Sequence, residues 1–141
     1  EYGVWLIELA PRTIGGKCSR VLQLGTGHAL EDIVILTPVG RSISIDSPAG
    51  AAGVMMIPVP GPGIVRRIEG IEAARCVDHI EAVETEITQV QQLVPWPEGS
   101  SYPGFIFARG PNDQLVTEAL HSAHQELRFV VAPQLPLVIA G

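Results

Sequence analysis

The stretch GFIFARGPNDQLVTEALHSAHQELRFVVA, Gly104 to Ala132, changes its hydrophobic period twice and so decides the fold class. GFIFAR, Gly104 to Arg109, reads as a strand. Asn112 or Asp113 then caps an amphipathic helix whose Leu115, Val116, Ala119, Leu120, Ala123 and Leu127 form one apolar stripe. RFVVA, Arg128 to Ala132, returns to the strand pattern. Upstream, VETEITQV places Val83, Thr85 and Ile87 on one face and Glu84 and Glu86 on the other, the alternation of a half-solvated antiparallel strand. AAGVMMIPV from Ala51 reads as a buried strand, PGPG as a tight turn and IVRRIEG as the returning strand of a hairpin, with a short helix at Ile71 to Cys76. Two strands, a helix, two strands, a helix and a strand describe an antiparallel α+β domain with helices on one face.

The first forty residues are organised differently. Val4 to Leu9 is a short apolar run between Gly3 and Pro11 and predicts a strand. Ser19 to Leu24 predicts a short helix closed by Gly25, and Ala29 to Leu36 a second, capped by Thr26 or His28 and stopped by Pro38. One strand and two short helices bury too little to stand alone, so this segment reads as the end of a larger domain. GRSISIDSPAG, Gly40 to Gly50, is rich in Ser, Gly and Pro and reads as a linker. The expected division is 1–40 as the end of one domain, 41–50 as linker, 51–132 as the α+β domain and 133–141 as a tail.

Composition excludes several classes of function. The 141 residues carry a net charge of -6 with nine basic residues and no cluster of arginines among aromatics, which argues against nucleic-acid binding. The adjacent Arg66 and Arg67 read as a solvated strand edge. Apolar runs such as VMMIPVP fall far short of the roughly 20 residues that span a bilayer. The opening residues lack the basic start of a signal peptide, so the expected setting is cytoplasmic, away from membranes. Cys18 and Cys76 fit neither a disulfide framework nor a zinc site and are expected as reduced thiols.

WLIELAPRTIGG, Trp5 to Gly16, holds the chemistry. A carboxylate at the edge of an apolar run loses hydration unless a cation, a hydrogen-bond network or a metal ion compensates. Glu8 would project from the C-terminal end of its strand, where open α/β sheets place ligands. Arg12 follows the bend at Pro11 with a planar fork suited to carboxylate or phosphate oxygens. Gly15 and Gly16 let the backbone come close to a ligand, ahead of a helix N-terminus. By spacing alone, an ion pair between Glu8 and Arg12 closing a strand end is an equal reading.

IELAPRTIGGKCSR resembles the last metal-binding strand of ATP-grasp enzymes, whose pattern is Glu, then Asn two positions on, then Arg two further. Glu8 and Arg12 match and Ala10 stands at the Asn position. The Gly-Gly version resembles the L-amino acid ligase branch, and AAGVMMIPVP, LVPWPEGSSYPGFIFARG and the final helix and strand resemble the C-terminal domain of those ligases. The resemblance implies the last strand and helices of an ATP-grasp core followed by an antiparallel-sheet domain. It implies ATP and Mg²⁺, with Glu8 binding a Mg²⁺ that bridges nucleotide phosphates and Arg12 stabilising the transferring phosphoryl group and the acyl-phosphate. Gly15 and Gly16 would border the substrate carboxylate, with Gly16 leaving the pocket wide, and Ala10 removes one metal ligand. Small carboxylate and amine substrates would be joined, and the remainder of the core would be the partner. The family's nucleotide-binding lysines and glycine-rich lid have no counterpart, since Lys17 is the one lysine. The resemblance therefore implies a C-terminal fragment, inactive alone. Another ATP-grasp enzyme (of biotin carboxylase, carbamoyl-phosphate synthase or purine-synthesis type) and a non-catalytic dimerisation or ligand-binding module are the alternatives, and a homodimer is left open.

Other polar and aromatic residues weigh less. His121 and His124, three apart on the last helix, lack a third ligand in the pattern and read as a solvated face. His28 reads as a helix-start residue, and Trp96 and Tyr102 as a packed cover on the loop PWPEGSSY.

Overall fold

The computed structural model describes residues 5–8, 15–41, 43–44, 50–87, 92–95, 97–99 and 102–133. In chain order its elements are α1 (Cys18–Thr26), α2 (Leu30–Leu36), β1 (Ala51–Met56), β2 (Gly63–Glu69), α3 (Ile71–Arg75), β3 (Ile80–Thr85), β4 (Gln92–Leu93), β5 (Gly104–Gly110), α4 (Asp113–Glu126) and β6 (Arg128–Ala132). The described strands make two antiparallel three-stranded sheets, ordered β1-β5-β3 and β4-β2-β6. The α+β class read from the sequence is the one observed.

The central strand of the first sheet is β5, whose residues Phe105 to Ala108 are all buried. Its two faces carry different cores. Ile106 and Ala108 join Val83, Ala74 of α3, and Val116, Ala119, Leu120 and Ala123 of α4 in one apolar cluster. The α4 stripe was legible because its spacing is local, and Asn112 caps it as expected, its Oδ1 accepting the Leu115 N–H at 2.9 Å. On β1, Gly53 brings the strand close under α4: a Cβ there would lie 2.9 Å from Val116 Cγ1 and 3.2 Å from Leu120 Cδ1. Phe105 and Phe107 point to the opposite face, where α1 lies against β1 and β5.

The predicted hairpin of β1 and β2 does not form. β1 pairs with β5, while β2 pairs with β4 and β6 in the other sheet. Pro58, Pro60 and Pro62 lie in the connection, each fixing φ and removing an amide donor. Such a connection cannot close a tight ladder and instead carries the chain across to the second sheet. Phe129 and Leu127 pack against the main cluster and join the two sheets through the end of α4.

Of the predicted strand Val4 to Leu9, the two end residues lie outside the described residues. Residues 5–8 have no regular secondary structure, and Trp5, Leu6 and Ile7 are more than four-fifths exposed. A strand exists only through ladder bonds to a neighbour, and no described strand pairs with this one. In α1 the predicted closure at Gly25 gives way to Gly27, which is left-handed at φ 78° and returns its N–H to Gln23 O at 2.8 Å. Gly25 lies within the helix, where a Cβ would make an ordinary contact 3.8 Å from the Ala52 Cβ. Thr26 and His28 do not cap α2, whose N-cap is Ala29. Thr26 Oγ1 donates to Leu22 O at 2.7 Å and accepts the His28 N–H at 3.2 Å, so both belong to the end of α1. Most of the expected linker, and nearly all of the expected tail, lie outside the described residues.

Candidate functional site

Of the four residues singled out in the opening stretch, Glu8, Gly15 and Gly16 are described and Arg12 lies outside the described residues. Glu8 is exposed, and the described residues contain no group of three or more His, Cys, Asp or Glu side chains that would hold a metal ion. One hard carboxylate donor fits part of a Mg²⁺ shell and no more. Its remaining ligands would have to be phosphate oxygens, water or carboxylates from elsewhere.

Gly15 and Gly16 form the turn that leads into α1. A Cβ on Gly15 would meet nothing within 4 Å, so this peptide is open to approach. Gly16 has φ 67° and Lys17 φ 60°, two successive left-handed residues that turn the chain sharply. A Cβ on Gly16 would sit 3.1 Å from Met56 Sδ and 3.8 Å from Cys18 Sγ. The turn is therefore seated on Met56 at the end of β1. The Cys18 N–H closes it by donating to Gly15 O at 3.3 Å.

Immediately after the turn, two cations reach the first sheet. Lys17 Nζ is 2.8 Å from Glu86 Oε1 and 5.4 Å from the centroid of the Phe105 ring. Arg20 Nη1 donates to Glu84 Oε1, and its guanidinium carbon stands 4.1 Å from the centroid of Phe107. The hydrogen bond and charge of Glu86 hold the Lys17 ammonium above the usual lysine range, assisted by Glu84 and opposed by partial desolvation and by Arg20. Alternation from Val83 to Ile87 marks Glu84 and Glu86 as one polar face, and α1 sets Lys17 and Arg20 against it while both glutamates keep more than a third of their side-chain surface exposed. Arg20 had no part in that reading. Its signal was the spacing of Lys17 and Arg20, one helical turn apart, against glutamates and phenylalanines each two apart on strands.

The remaining candidates stay apart from this turn. His121 is exposed and His124 half-buried, in keeping with a helix face, and both cysteines are free, Cys18 half-buried and Cys76 exposed. Tyr102 packs its ring 6.3 Å from that of Phe105, while Trp96 lies outside the described residues. Surface depressions run along Arg75 and Ile80 to Glu84, and along Pro60 to Pro62 with Phe129 and Val131, and neither is lined by Glu8, Gly15 or Gly16.

Two solved enzymes share this fold. The fold is similar to that of an L-amino acid ligase from Bacillus licheniformis, with a TM-score of 0.69 and 22% identity, over 83% of this chain and 30% of that one. It is similar also to a phosphoribosylglycinamide synthetase from Anaerococcus prevotii, with a TM-score of 0.64 and 11% identity, over 82% of this chain and 30% of that one. The chain thus spans about a third of the length of each, and its class, on this likeness, is that of the fold they share. Residues 55–132, just over half of the 141, match the family described as L-amino acid ligase C-terminal domain 2, and the chain belongs to that family. No curated protein matches it. The resemblance to the L-amino acid ligase family is borne out by the match that spans GFIFARG, while the opening motif lies before the matched residues.

Proposed function

We propose that this chain is the C-terminal part of an ATP-dependent carboxylate–amine ligase of the L-amino acid ligase type, which works through an acyl-phosphate and is inactive without the rest of the core. Residues 1–40 would complete that core, 41–50 link it and 51–132 form the accessory domain, with 133–141 as a tail. The family match over residues 55–132 carries the reading. The open peptide at Gly15 and the single lysine in the sequence agree with it.

In this reaction a substrate carboxylate oxygen attacks the γ-phosphorus of ATP and ADP leaves. The amine of the second substrate then attacks the acyl carbon, phosphate departs with the carbon–oxygen bond pair, and the ammonium proton is lost to solvent. Arg12 would meet the charge that grows on the phosphoryl oxygens, with its two parallel donors. Glu8 would offer one carboxylate oxygen to Mg²⁺, which when bound neutralises phosphate charge. Gly15 and Gly16 would border the substrate carboxylate.

The test is the complete gene product incubated with Mg-ATP and pairs of L-amino acids. Phosphate release that needs both amino acids, with hydroxylamine converting the intermediate to a hydroxamate, is the expected result. Phosphate release that depends on bicarbonate, or none with any amino acid, would overturn the reading. The 141-residue chain alone should show no Mg-ATP binding by calorimetry.

A further inference from the structure

α1 is an unusual element to find beside a substrate turn. It has nine residues, none of them fully buried. A helix of that length is marginal in water by itself. Its N-cap, Lys17, is left-handed and makes no side-chain capping bond. The Lys17 side chain is committed elsewhere, to Glu86 and the Phe105 ring, and Arg20 one turn later is committed to Glu84 and the Phe107 ring. Glu84 lies directly across from Phe105 in the β3–β5 ladder, so the two glutamates and two rings tile one face of one sheet. Each cation lies between a carboxylate and an aromatic ring.

We propose that Lys17 and Arg20 are positioning residues: they latch α1 to the Glu84–Glu86 and Phe105–Phe107 face, and so fix the Gly15–Gly16 turn on Met56 at the edge of the substrate site. The substrate part of this inference rests on the ligase reading above; the latch does not. Through it the accessory domain sets the geometry of a turn that belongs to the preceding segment. A surface ion pair alone would be a weak device. Here a planar guanidinium over a fully buried ring and an ammonium over its neighbour make the contact directional as well as electrostatic.

Hydrogen exchange on the 141-residue chain tests the latch without any enzymology. Arg20→Glu and Glu84→Arg should each speed exchange of amides 15–26 by about tenfold, a change on the order of that caused by losing one anchoring contact, while amides of β5 and α4 stay protected. The reciprocal pair Arg20→Glu with Glu84→Arg should restore protection. Unchanged exchange in the single variants, or no recovery in the pair, would overturn the latch. Arg20→Gln guards against gross misfolding: if it and Arg20→Glu both strip protection from β5 as well, α1 is part of one cooperative core and the latch is again refuted.

In the complete gene product, Arg20→Glu should raise the KM for the carboxylate-donating amino acid by about tenfold with the KM for ATP within twofold, and the reciprocal pair should recover it. Altered exchange with an unaltered amino-acid KM would overturn the role at the substrate site. A wild-type gene product without ligase activity would refute the ligase reading, and with it this role, while the exchange results alone decide the latch.

Discussion

The Arg20 guanidinium lies 4.1 Å from the centre of the Phe107 ring, and that ring has no exposed surface. Arg20 is thus part of the lid on a core aromatic as well as the partner of Glu84. The guanidinium face and the carboxylate pair contribute separately, because one acts through planarity and the other through charge. Arg20→Lys, which keeps charge and loses the plane, should cost about 0.5–1 kcal/mol of unfolding free energy. In a urea double-mutant cycle, Arg20→Ala and Phe107→Leu should show a coupling of about 1 kcal/mol. Additive effects would mean that proximity carries no energy.

Lys17 predicts a pH dependence of known sign. Glu86, with Glu84 behind it, raises the ammonium's pKa above 10.5, while Arg20 and partial desolvation act the other way. A raised folded pKa means the native state holds its proton more tightly than the unfolded chain. The contribution is complete below the ordinary lysine value and is lost as pH rises through the raised one. The stability difference between the wild type and Lys17→Met should be flat from neutral pH to about 10 and shrink above it. A difference that grows with alkalinity would contradict the pairing.

Gly53 gives a prediction on the other face of the sheet. A Cβ there would press on Val116 and Leu120 of α4, so Gly53→Val forces the helix off the strand. The expected loss is about 1–3 kcal/mol, typical of overpacking in a filled core. Thermal unfolding would register it, and Gly53→Val paired with Leu120→Ala should recover part of the loss.

Cutting the chain before Ala51 should leave a domain that still unfolds cooperatively, since its α4 face is untouched. It would, however, uncover Phe105 and Phe107. Burial of a phenylalanine contributes about 1.5–3 kcal/mol, so a loss of about 3 kcal/mol is expected in urea titrations, with new binding of an apolar dye. Equal stability of the two forms would show that α1 covers nothing of consequence.

In the complete gene product, Glu8→Gln should raise the Mg²⁺ concentration for half-maximal turnover, because an amide lacks the anionic donor. Arg12→Lys should instead lower turnover about a hundredfold at saturating Mg²⁺, the usual scale for losing a positioned donor. Turnover measured against Mg²⁺ separates them. A Glu8→Gln enzyme with unchanged rate and Mg²⁺ response would reduce the opening carboxylate to a structural ion pair.

What the amino-acid order determined by itself is what depends on near neighbours. The stripe from Leu115 to Leu127, its Asn112 cap and the flanking strands at 104–110 and 128–132 are legible because side-chain period and capping act over a few residues. The family was legible in the same stretch. Strand partnership was not, because a ladder is formed between residues far apart in the chain, and its choice follows the burial of whole faces. β1 therefore passes over β2, its neighbour in sequence, for β5, fifty residues on. The same reason leaves residues 5–8 without a strand despite their apolar run. It also makes the half-solvated polar edge that continues β3 the seat of Lys17 and Arg20: alternation says which side chains share a face, and only the packed helix decides what that face meets.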